Sequence, residues 1–432
     1  MEGIRVRGAV PLYGQVTVPG AKNSVLPIMA ASLLCEQRVV LENVPQLSDV
    51  ACAARILQSL GCRVLAGERA LAILPAQAPA SEVPPPLMRR MRSSLFFLAP
   101  LLARTGRASI TAPGGCNLGA RPIDMHLAGL AAMGANVEED GAQLTVTAPQ
   151  GLRGAHIALR FPSVGATETL LMAACCARGQ TVLDGCAVEP EVVDLARFLS
   201  CAGACITGAG TRRMRIRGRP LLQGARFRIC PDRIFTATLL CAVAGCGGSV
   251  TLRGARAQDC AALLRALRRA GCEVVRREDA VSLRRTGALH APGALVTDVH
   301  PALPTDSAPL LAAAMLRAEG ATLITDTIFE RRFACAQGFA AMRAACGVQG
   351  RTICVQGVPR LAGAQVCAPD LRGGAALVLA ALQAEGESVI AGAAHIARGY
   401  EDLAGTLASL GADAGYVRRA QRPLFENAPC AT

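Results

Sequence analysis

The chain carries a single lysine, and its setting suggests a task that suits an ammonium group. Lys22 lies in the segment PGAKNSVLP and is the only lysine among 45 lysines and arginines. Arginine presents a planar fork suited to bidentate contacts, whereas lysine presents a compact point charge. An apolar helical run follows, so Lys22 would open a helix. We therefore predict that Lys22 binds an anionic group in a space too narrow for a guanidinium.

A second candidate for chemistry is Cys116, in the segment APGGCNLGARP. Most of the 19 cysteines lie in apolar runs, where we expect reduced and buried thiols. Cys116 instead lies in a glycine-rich, polar loop, five residues before Arg121. A nearby cation lowers the pKa of a thiol, and a loop of this composition can close over a ligand. We predict that Cys116 is reactive.

Composition excludes several classes of protein. The longest apolar stretches fall short of the roughly 20 residues of a membrane span, and the N-terminus shows no apolar signal segment, so we expect a soluble cytoplasmic protein without membrane contacts. The five histidines and the absence of paired CxxC motifs argue against a zinc site. The formal charge of +13 is compatible with nucleic acid, but the arginines are dispersed with few aromatic residues between them. Anionic small molecules explain the charge equally well.

The elements that must position these residues form an internal repeat. A glycine-led strand recurs in GRASITAPG at 106, GQTVLDG at 179, GGSVTLRG at 247, GATLITDT at 320 and GESVIAG at 386, with a looser copy, QRVVLENV, at 37. A helix that ends in glycine and enters a strand recurs in step, except in the fifth copy, where Arg343 stands near the glycine position. Two markers with a period of about 70 residues predict six βαβαββ-type α/β units.

Six units divide naturally into two domains of three. We predict a first domain over 22–229 and a second over 1–21 and 230–432, with chain crossings near Lys22 and near residue 230. Ligands commonly bind in clefts between such domains, so we expect the substrate cleft there.

The sequence motifs of this chain resemble those of a known family. PGAKNSVLP, PGGCNLGARPIDMHLAGL, SVGATETLLMAA, EPEVVDLARFL, PDRIFTATLL, HPALPTD, FERRF, DLRGGAALVLAAL and HIARGYE are similar to the UDP-N-acetylglucosamine 1-carboxyvinyltransferases, a branch of the enolpyruvyl transferases. The resemblance runs from residue 19 to about 402 in family order. It implies two inside-out α/β barrel domains with three repeats each, in agreement with the repeats counted from spacing.

The resemblance also implies a reaction. The enolpyruvyl group of phosphoenolpyruvate would move to the 3′-hydroxyl of UDP-N-acetylglucosamine with release of phosphate, in the first committed step of peptidoglycan synthesis. The route would be addition and elimination through a tetrahedral ketal, without a cofactor and without a metal. These two substrates are the expected partners, and we expect a monomer.

The family motifs assign roles to individual residues. Cys116 would donate a proton to the methylene carbon, and a covalent adduct of Cys116 with phosphoenolpyruvate is left open. Asp306 would deprotonate the 3′-hydroxyl, although Thr305, Asp306 or Ser307 could also cap the following helix. Both roles are compatible if Thr305 or Ser307 is the cap. The cations that would bind phosphate and carboxylate groups are Lys22, Arg92, Arg121, Arg332, Arg372 and Arg398.

Other motif residues would bind the sugar nucleotide. Asn23 would bind it beside Lys22, and Ile328 would contact the sugar end. The uridine and pyrophosphate would contact Arg121, Pro122, Ile123, Asp124 and Met125, and the diphosphate would contact Ser163, Val164 and Gly165.

Two of these motifs depart from the family pattern, and a third carries two glutamates. The segment RFPSVG has Phe161 and Pro162 where the family carries a polar residue, so Arg160 is the candidate replacement. The pair Gly373–Gly374 replaces a residue that is commonly Ala or Ser, and it is expected to loosen the backbone. Glu189 and Glu191 are expected to be structural, at a helix entry.

Three alternatives stay open at this stage. The chain could be a secondary paralogue of the same enzyme, or a shikimate-type enolpyruvyl transferase on the same fold. It could also be a basic RNA-binding protein on an inherited scaffold, which would bind RNA with a steep dependence on salt.

Overall fold

The repeat predicted from spacing is present in the structure. A computed structural model of the chain describes residues 2–111, 122–141 and 143–417. All six glycine-led segments become the second strand of a repeat, from Val39–Glu42 to Glu387–Ala391. In the five complete sheets this strand pairs in parallel with the first strand of its repeat and antiparallel with the fourth. The α/β repeat is therefore confirmed.

Two compact units make up the described chain. We call residues 19–111 and 122–231 the central unit, and residues 2–18 and 232–417 the terminal unit. The chain changes unit after Val18 and after Pro231, whereas the sequence places these changes after residues 21 and 229.

The central unit holds three repeats, each with helices between its strands. In the first repeat, the leading strand comes from the far end of the unit. In the second, a single bridge between Glu82 and Ser109 replaces the leading strand. In the order of the repeat plan, the elements of the first repeat are Arg226–Arg228, Lys22–Ala31, Val39–Glu42, Ser48–Ser59, Arg63–Ala66 and Ala70–Leu74. Those of the second are Arg92–Phe97, Leu98–Thr105, Arg107–Thr111, Asp124–Ala132, Asn136–Asp140 and Gln143–Thr147. Those of the third are His156–Ala158, Val164–Cys175, Gln180–Asp184, Pro190–Cys201, Cys205–Thr207 and Arg213–Arg217.

The terminal unit repeats the same plan, and its last strand is supplied by the N-terminal end of the described chain. The elements are Leu12–Thr17, Arg233–Cys246, Gly248–Arg253, Ala261–Arg269, Glu273–Arg276 and Ala280–Arg285; Ala294–Val296, Ala308–Ala314, Ala321–Thr325, Ala336–Ala341, Ala345–Gln349 and Thr352–Gln356; Gln365–Cys367, Leu371–Ala381, Glu387–Ala391, Leu403–Ser409, Asp413–Val417 and Gly3–Arg7. Short helical turns at Ser32–Leu34, Pro85–Met88, Ala257–Cys260, Thr305–Ser307, Met315–Arg317 and Ala393–Ile396 and a small ladder of Leu361–Ala362 with Ala384–Glu385 complete the two units.

The first helix of each repeat lies inside its unit, and the sheets lie outside. In the terminal unit, helices Arg233–Cys246, Ala308–Ala314 and Leu371–Ala381 pack against one another and are buried along nearly their whole length. The strands alternate between buried and exposed residues because one face covers these helices. Helices inside and sheets outside give the inside-out arrangement that the sequence predicts.

The repeat glycines have a backbone reason. Gly61, Gly134, Gly203, Gly271 and Gly411 follow helices and have φ between 91° and 97°, a region that favours residues without a Cβ. In the fifth repeat Arg343 takes this position with φ 66°. The one irregular copy in the sequence therefore keeps the backbone of the other five.

Cysteines in the described chain are free, and most are buried. Among the described residues, no helix is both long and apolar enough to cross a membrane.

Candidate active site

In the terminal unit, three of the predicted residues meet around one carboxylate. Asp306 lies in the turn Thr305–Ser307, directly before the buried helix Ala308–Ala314. Arg332 Nη2 lies 2.5 Å from Asp306 Oδ1, and Arg372 Nε lies 3.4 Å from the same oxygen. The structure thus brings together two guanidinium groups and one carboxylate that are distant in sequence.

Burial and charge determine the ionisation of this group. The side chains of Arg332 and Arg372 are 2% and 5% exposed, and that of Asp306 is 27% exposed. Burial raises the pKa of Asp306, but the charges of Arg332 and Arg372 and the hydrogen bond from Arg332 outweigh it. The pKa of Asp306 therefore lies well below its usual range, and the carboxyl is ionised at neutral pH.

Each of the two arginines also lies over an aromatic ring. The guanidinium carbon of Arg372 is 5.4 Å from the ring centre of Tyr400, and that of Arg332 is 5.4 Å from the ring centre of Phe329. Arg372 Nη1 donates to the Tyr400 hydroxyl at 3.1 Å, and this hydroxyl lies 2.7 Å from Thr238 Oγ1. Since planar stacking and a directed fork are properties of guanidinium, these positions favour arginine over lysine.

The helix that follows Asp306 has no side-chain cap. Ser307 occupies the N-cap position and accepts no side-chain hydrogen bond from the first turn, so the alternative in which Ser307 caps this helix is not borne out. The Thr305 hydroxyl donates instead to Asp326 at 2.6 Å. Tertiary contacts thus use the groups that a sequence pattern assigns to capping.

The remaining predicted residues of this unit lie on turns and helix ends. Ile328 is half-buried and donates its backbone N–H to Asp326, and Arg398 is half-buried after the turn Ala393–Ile396. At Gly374 an added Cβ would stand 2.8 Å from side-chain atoms of Ala368 and Ile396. Close packing, rather than a looser backbone, accounts for this glycine.

In the central unit, Lys22 is buried in an ion pair. It is the first residue of helix Lys22–Ala31, and its Nζ lies 2.7 Å from Asp49 Oδ2. The two side chains are 8% and 5% exposed. A cation at a helix N-terminus is opposed by the helix dipole, and the carboxylate of Asp49 offsets that effect. The neighbouring Asn23 is exposed.

The predicted diphosphate contact lies at a helix N-terminus. Ser163 is the N-cap of helix Val164–Cys175, and its side chain accepts from the backbone N–H of Ala166 at 3.3 Å. The backbone N–H groups of Val164 and Gly165 belong to the first turn, which favours anions. This local geometry suits a phosphate group.

A buried histidine packs against the same helix start. His126 is 5% exposed, and an added Cβ at Gly165 would stand 3.0 Å from its Nε2. Burial and the charge of Arg92 lower the pKa of His126 to about 4, so its ring is neutral at pH 7. His126 thus places the 122–125 turn, Arg92 and Gly165 in one neighbourhood.

The turn before His126 carries the predicted uridine contacts. Pro122 and Ile123 directly precede helix Asp124–Ala132, whose second residue is Met125. An open groove of about 460 Å³ has Pro122, Ile123 and Asp124 among its lining residues. Arg160 Nη2 lies 2.5 Å from Asp124 Oδ2, so the candidate replacement for the missing polar residue reaches this turn.

Two predicted residues, Cys116 and Arg121, lie outside the described residues. Within the part of the chain that is described, no group of three or more His, Cys, Asp or Glu is placed to hold a metal ion.

Comparison with known proteins places this geometry in a family. The family model described as EPSP synthase (3-phosphoshikimate 1-carboxyvinyltransferase) matches residues 6–407. This chain belongs to the enolpyruvyl transferase family. It is 46% identical over 419 residues to a UDP-N-acetylglucosamine 1-carboxyvinyltransferase of Acidiphilium cryptum, with 97% of this chain and 100% of that protein covered. A protein of the same name from Azorhizobium caulinodans is 44% identical, with 95% and 98% covered.

A solved structure supports the same family at the level of the fold. The enolpyruvyl transferase NikO from Streptomyces tendae matches with a TM-score of 0.87 and 27% identity, covering 96% of this chain and 98% of its own. The fold class, predicted from the repeats together with the family resemblance, is therefore confirmed.

Three residues near the candidate site of this enolpyruvyl transferase are not among the candidates predicted from the sequence. Asp49 is a carboxylate at the start of a helix, and the need for a counter-charge to Lys22 would have pointed to it. His126 follows the predicted nucleotide motif directly, and Tyr400 lies inside the motif HIARGYE. The sequence shows that these polar residues are present, but only the packing shows what each one contacts.

Proposed function

We propose that this chain transfers the enolpyruvyl group of phosphoenolpyruvate to the 3′-hydroxyl of UDP-N-acetylglucosamine and releases phosphate. The observation that carries the proposal is identity of 46% and 44% over nearly the whole chain to relatives named for this activity. The reaction would be the first committed step of peptidoglycan synthesis, in the cytoplasm.

The proposed chemistry is an addition followed by an elimination. The sugar oxygen forms a bond to C2 of phosphoenolpyruvate while C3 gains a proton, which gives a tetrahedral phosphate ketal. The ketal then loses a proton from C3 and expels phosphate, so that the double bond is restored. One group must accept the hydroxyl proton, and another must donate to carbon.

Asp306 is proposed as the group that accepts the hydroxyl proton. Its low pKa keeps it ionised, so it is available as an acceptor at neutral pH. Arg332 and Arg372 hold the carboxylate and add one net positive charge, which favours binding of the anionic substrate beside it. Arg398 is proposed to bind the same substrate.

Lys22 is proposed to bind the phosphate of phosphoenolpyruvate as a point charge, and to stabilise it as it leaves. Its ammonium is buried and lies 2.7 Å from Asp49 Oδ2, which fixes its position. Asn23 and Ile328 are proposed as contacts of the sugar, and Arg92 as a further cation for substrate phosphate.

The nucleotide is proposed to bind at two places in the central unit. The helix start offers the first-turn N–H groups of Val164 and Gly165 to the diphosphate, and the groove at Pro122, Ile123 and Asp124 is offered to the uridine, with Met125 as the next residue of that motif. Arg121 is proposed to bind the pyrophosphate, and Cys116 to donate the carbon proton. The substrate cleft predicted between the two domains stays a prediction, as do the domain boundaries and the monomeric state.

The test is phosphate release by the purified full chain. We expect release with both substrates and none when either is omitted. Replacing UDP-N-acetylglucosamine by shikimate 3-phosphate should abolish release, and a salt titration with RNA should show no steep binding. Release with shikimate 3-phosphate, or no release at all, would overturn the proposal.

A further inference from the structure

A buried carboxylate next to the Asp306 group accepts four hydrogen bonds. Asp326 follows strand Ala321–Thr325 and has no exposed surface. Its Oδ1 accepts from the backbone N–H of Ile328 at 2.9 Å and from that of Phe329 at 2.6 Å. Its Oδ2 accepts from Thr297 Oγ1 at 3.0 Å and from Thr305 Oγ1 at 2.6 Å. Burial with all these bonds made fixes the side chain in one orientation.

Thr305 connects this carboxylate to the site. It directly precedes Asp306, and its carbonyl accepts from Arg332 Nε at 2.7 Å. Arg332 Nη2 in turn lies 2.5 Å from Asp306 Oδ1. One arginine therefore bonds both the backbone of Thr305 and the side chain of its neighbour, so a shift of Thr305 would move both.

A second route runs through the segment that follows Asp326. Arg332 lies over the ring of Phe329, and the N–H of Phe329 donates to Asp326. The N–H of Ile328, the proposed sugar contact, donates to the same oxygen. Asp326 thus holds both sides of the Arg332–Asp306 pair.

Thr297 makes the matching bond to the same carboxylate oxygen. Its hydroxyl donates to the same Oδ2, it accepts from the N–H of Thr327 at 3.2 Å, and its carbonyl accepts from Thr327 Oγ1 at 2.7 Å. No such contact joins it to Asp306 or Arg332 within the described residues. The two threonines offer one bond each to one oxygen, with different neighbours.

We infer that Asp326 is a positioning residue for the transfer reaction, which it serves by holding Asp306 through the Thr305 hydroxyl and Ile328 through its backbone N–H. The inference rests on the proposed function, because it assigns Asp306 the role of base. Asp326 itself contacts no substrate, and its effect on turnover passes through the alignment of Asp306 with the hydroxyl that it deprotonates.

The charges that face Asp306 define what a misalignment would change. They are Arg332, Arg372 and Arg233, the last on helix Arg233–Cys246. Arg372 is in turn faced by Tyr400 and by the carboxylate of Asp232. If Thr305 loses its anchor, the Arg332–Asp306 hydrogen bond lengthens and the pKa of Asp306 rises toward its usual range.

The experiment compares Thr305→Val with Thr297→Val in the full chain. Each change keeps the side-chain shape and removes one hydrogen bond to Asp326 Oδ2. We expect Thr305→Val to lower kcat about tenfold to a hundredfold with KM changed less than about threefold, because small misalignments of reacting groups have effects of that size. The acid limb of its pH–rate profile should move to higher pH. Thr297→Val should keep kcat within about threefold and leave the acid limb in place.

Two further measurements separate positioning from a structural role. Thr305→Ser restores the hydroxyl and should recover both kcat and the acid limb. Urea unfolding should show a loss of stability in Thr297→Val at least as large as that in Thr305→Val, since the Thr297 hydroxyl makes two hydrogen bonds and the Thr305 hydroxyl makes one.

Equal losses of kcat in both valine variants, or a loss in Thr305→Val without a moved acid limb, would overturn the inference. So would failure of Thr305→Ser to recover activity. An inactive wild-type chain would instead count against the proposed function, so the two failures are distinguishable.

Discussion

The two units share a backbone plan, but their buried cations are different. In the central unit a lysine ammonium pairs with the Asp49 carboxylate at 2.7 Å. In the terminal unit two guanidinium groups share the Asp306 carboxylate at 2.5 and 3.4 Å, and each lies over an aromatic ring. Each arginine contacts an aromatic ring with its guanidinium group and Asp306 with one of its nitrogens. Lys22 instead makes an ion pair as a point charge at the start of a helix.

This difference predicts that the single lysine of this arginine-rich chain has a role that depends on its shape. A guanidinium is wider than an ammonium, and the Lys22 side chain is only 8% exposed. Conversely, an ammonium at Arg372 could not lie over Tyr400 and reach its hydroxyl with a planar fork. We therefore expect the shape of the cation, as well as its charge, to matter at each position.

The largest expected effect comes from removing the carboxylate of the terminal unit. Asp306→Asn should lower kcat by about 10²- to 10⁴-fold, the usual range for loss of a general base. Two buried guanidinium groups would then lack their anion, so the thermal midpoint should fall as well. The control is Asp413→Asn, which breaks an exposed pair with Arg5 and should leave kcat unchanged. Near-normal turnover of Asp306→Asn would show that another group is the base.

Exchanging the two kinds of cation tests the comparison directly. Lys22→Arg and Arg372→Lys each keep the charge, and each should lower kcat/KM by about tenfold to a hundredfold because the fit is lost. Both variants should remain folded by circular dichroism. Arg226→Lys, at an exposed pair with Glu42, is the matched control and should behave as wild type. If Lys22→Arg is fully active, the single lysine has no role that depends on its shape.

A smaller effect is expected from the neutral histidine of the central unit. The pKa of His126 is about 4 in the folded chain, against an ordinary 6.5. Between pH 6.5 and pH 4, His126 is protonated in the unfolded chain but neutral in the folded chain. The free energy of unfolding therefore falls as pH falls. The loss should reach about 3 kcal/mol at pH 4.

His126→Asn should remove that part of the pH dependence in urea unfolding at pH 7.5, 5.5 and 4.5. His290→Asn, at an exposed histidine, should leave it unchanged. An identical pH dependence in wild type and His126→Asn would mean that His126 titrates normally.

The smallest effect concerns the backbone that the units share. Arg343→Gly should raise the free energy of unfolding by about 0.5–1 kcal/mol, because glycine tolerates the positive φ that arginine adopts at a cost. Arg343→Ala keeps the Cβ and should not stabilise. Equal stabilisation by both changes would point to loss of the surface charge instead of relief of the backbone.

The sequence predicted the fold well because its signals are local. Glycine at a helix end and a glycine-led strand act within a few residues, so both recur wherever the repeat recurs. The pattern also places Arg343 at the glycine position of the fifth copy, where its φ is 66°. The pairing of Gly3–Arg7 with strands near the other end of the described chain has no local signal and could not be predicted from periodicity.

The candidate site was predicted in part. Motif resemblance marked Asp306, Arg332 and Arg372, and the structure places them together. It did not mark Asp49, His126 or Asp326, and the capping pattern offered Thr305, Asp306 and Ser307 as alternative caps. Capping patterns consider only neighbours in sequence, whereas a buried carboxylate about 20 residues away competes for the same hydroxyl.

The sequence by itself determined the repeat, the fold class, the family and the kinds of residue available for chemistry. Periodicity and residue type are properties of the chain that can be read directly from the sequence. Only the tertiary structure decided which anion each buried cation faces and which carboxylate accepts from the Thr305 hydroxyl. Those choices depend on distances of a few ångströms between residues far apart in the chain, because burial makes every unpaired charge costly.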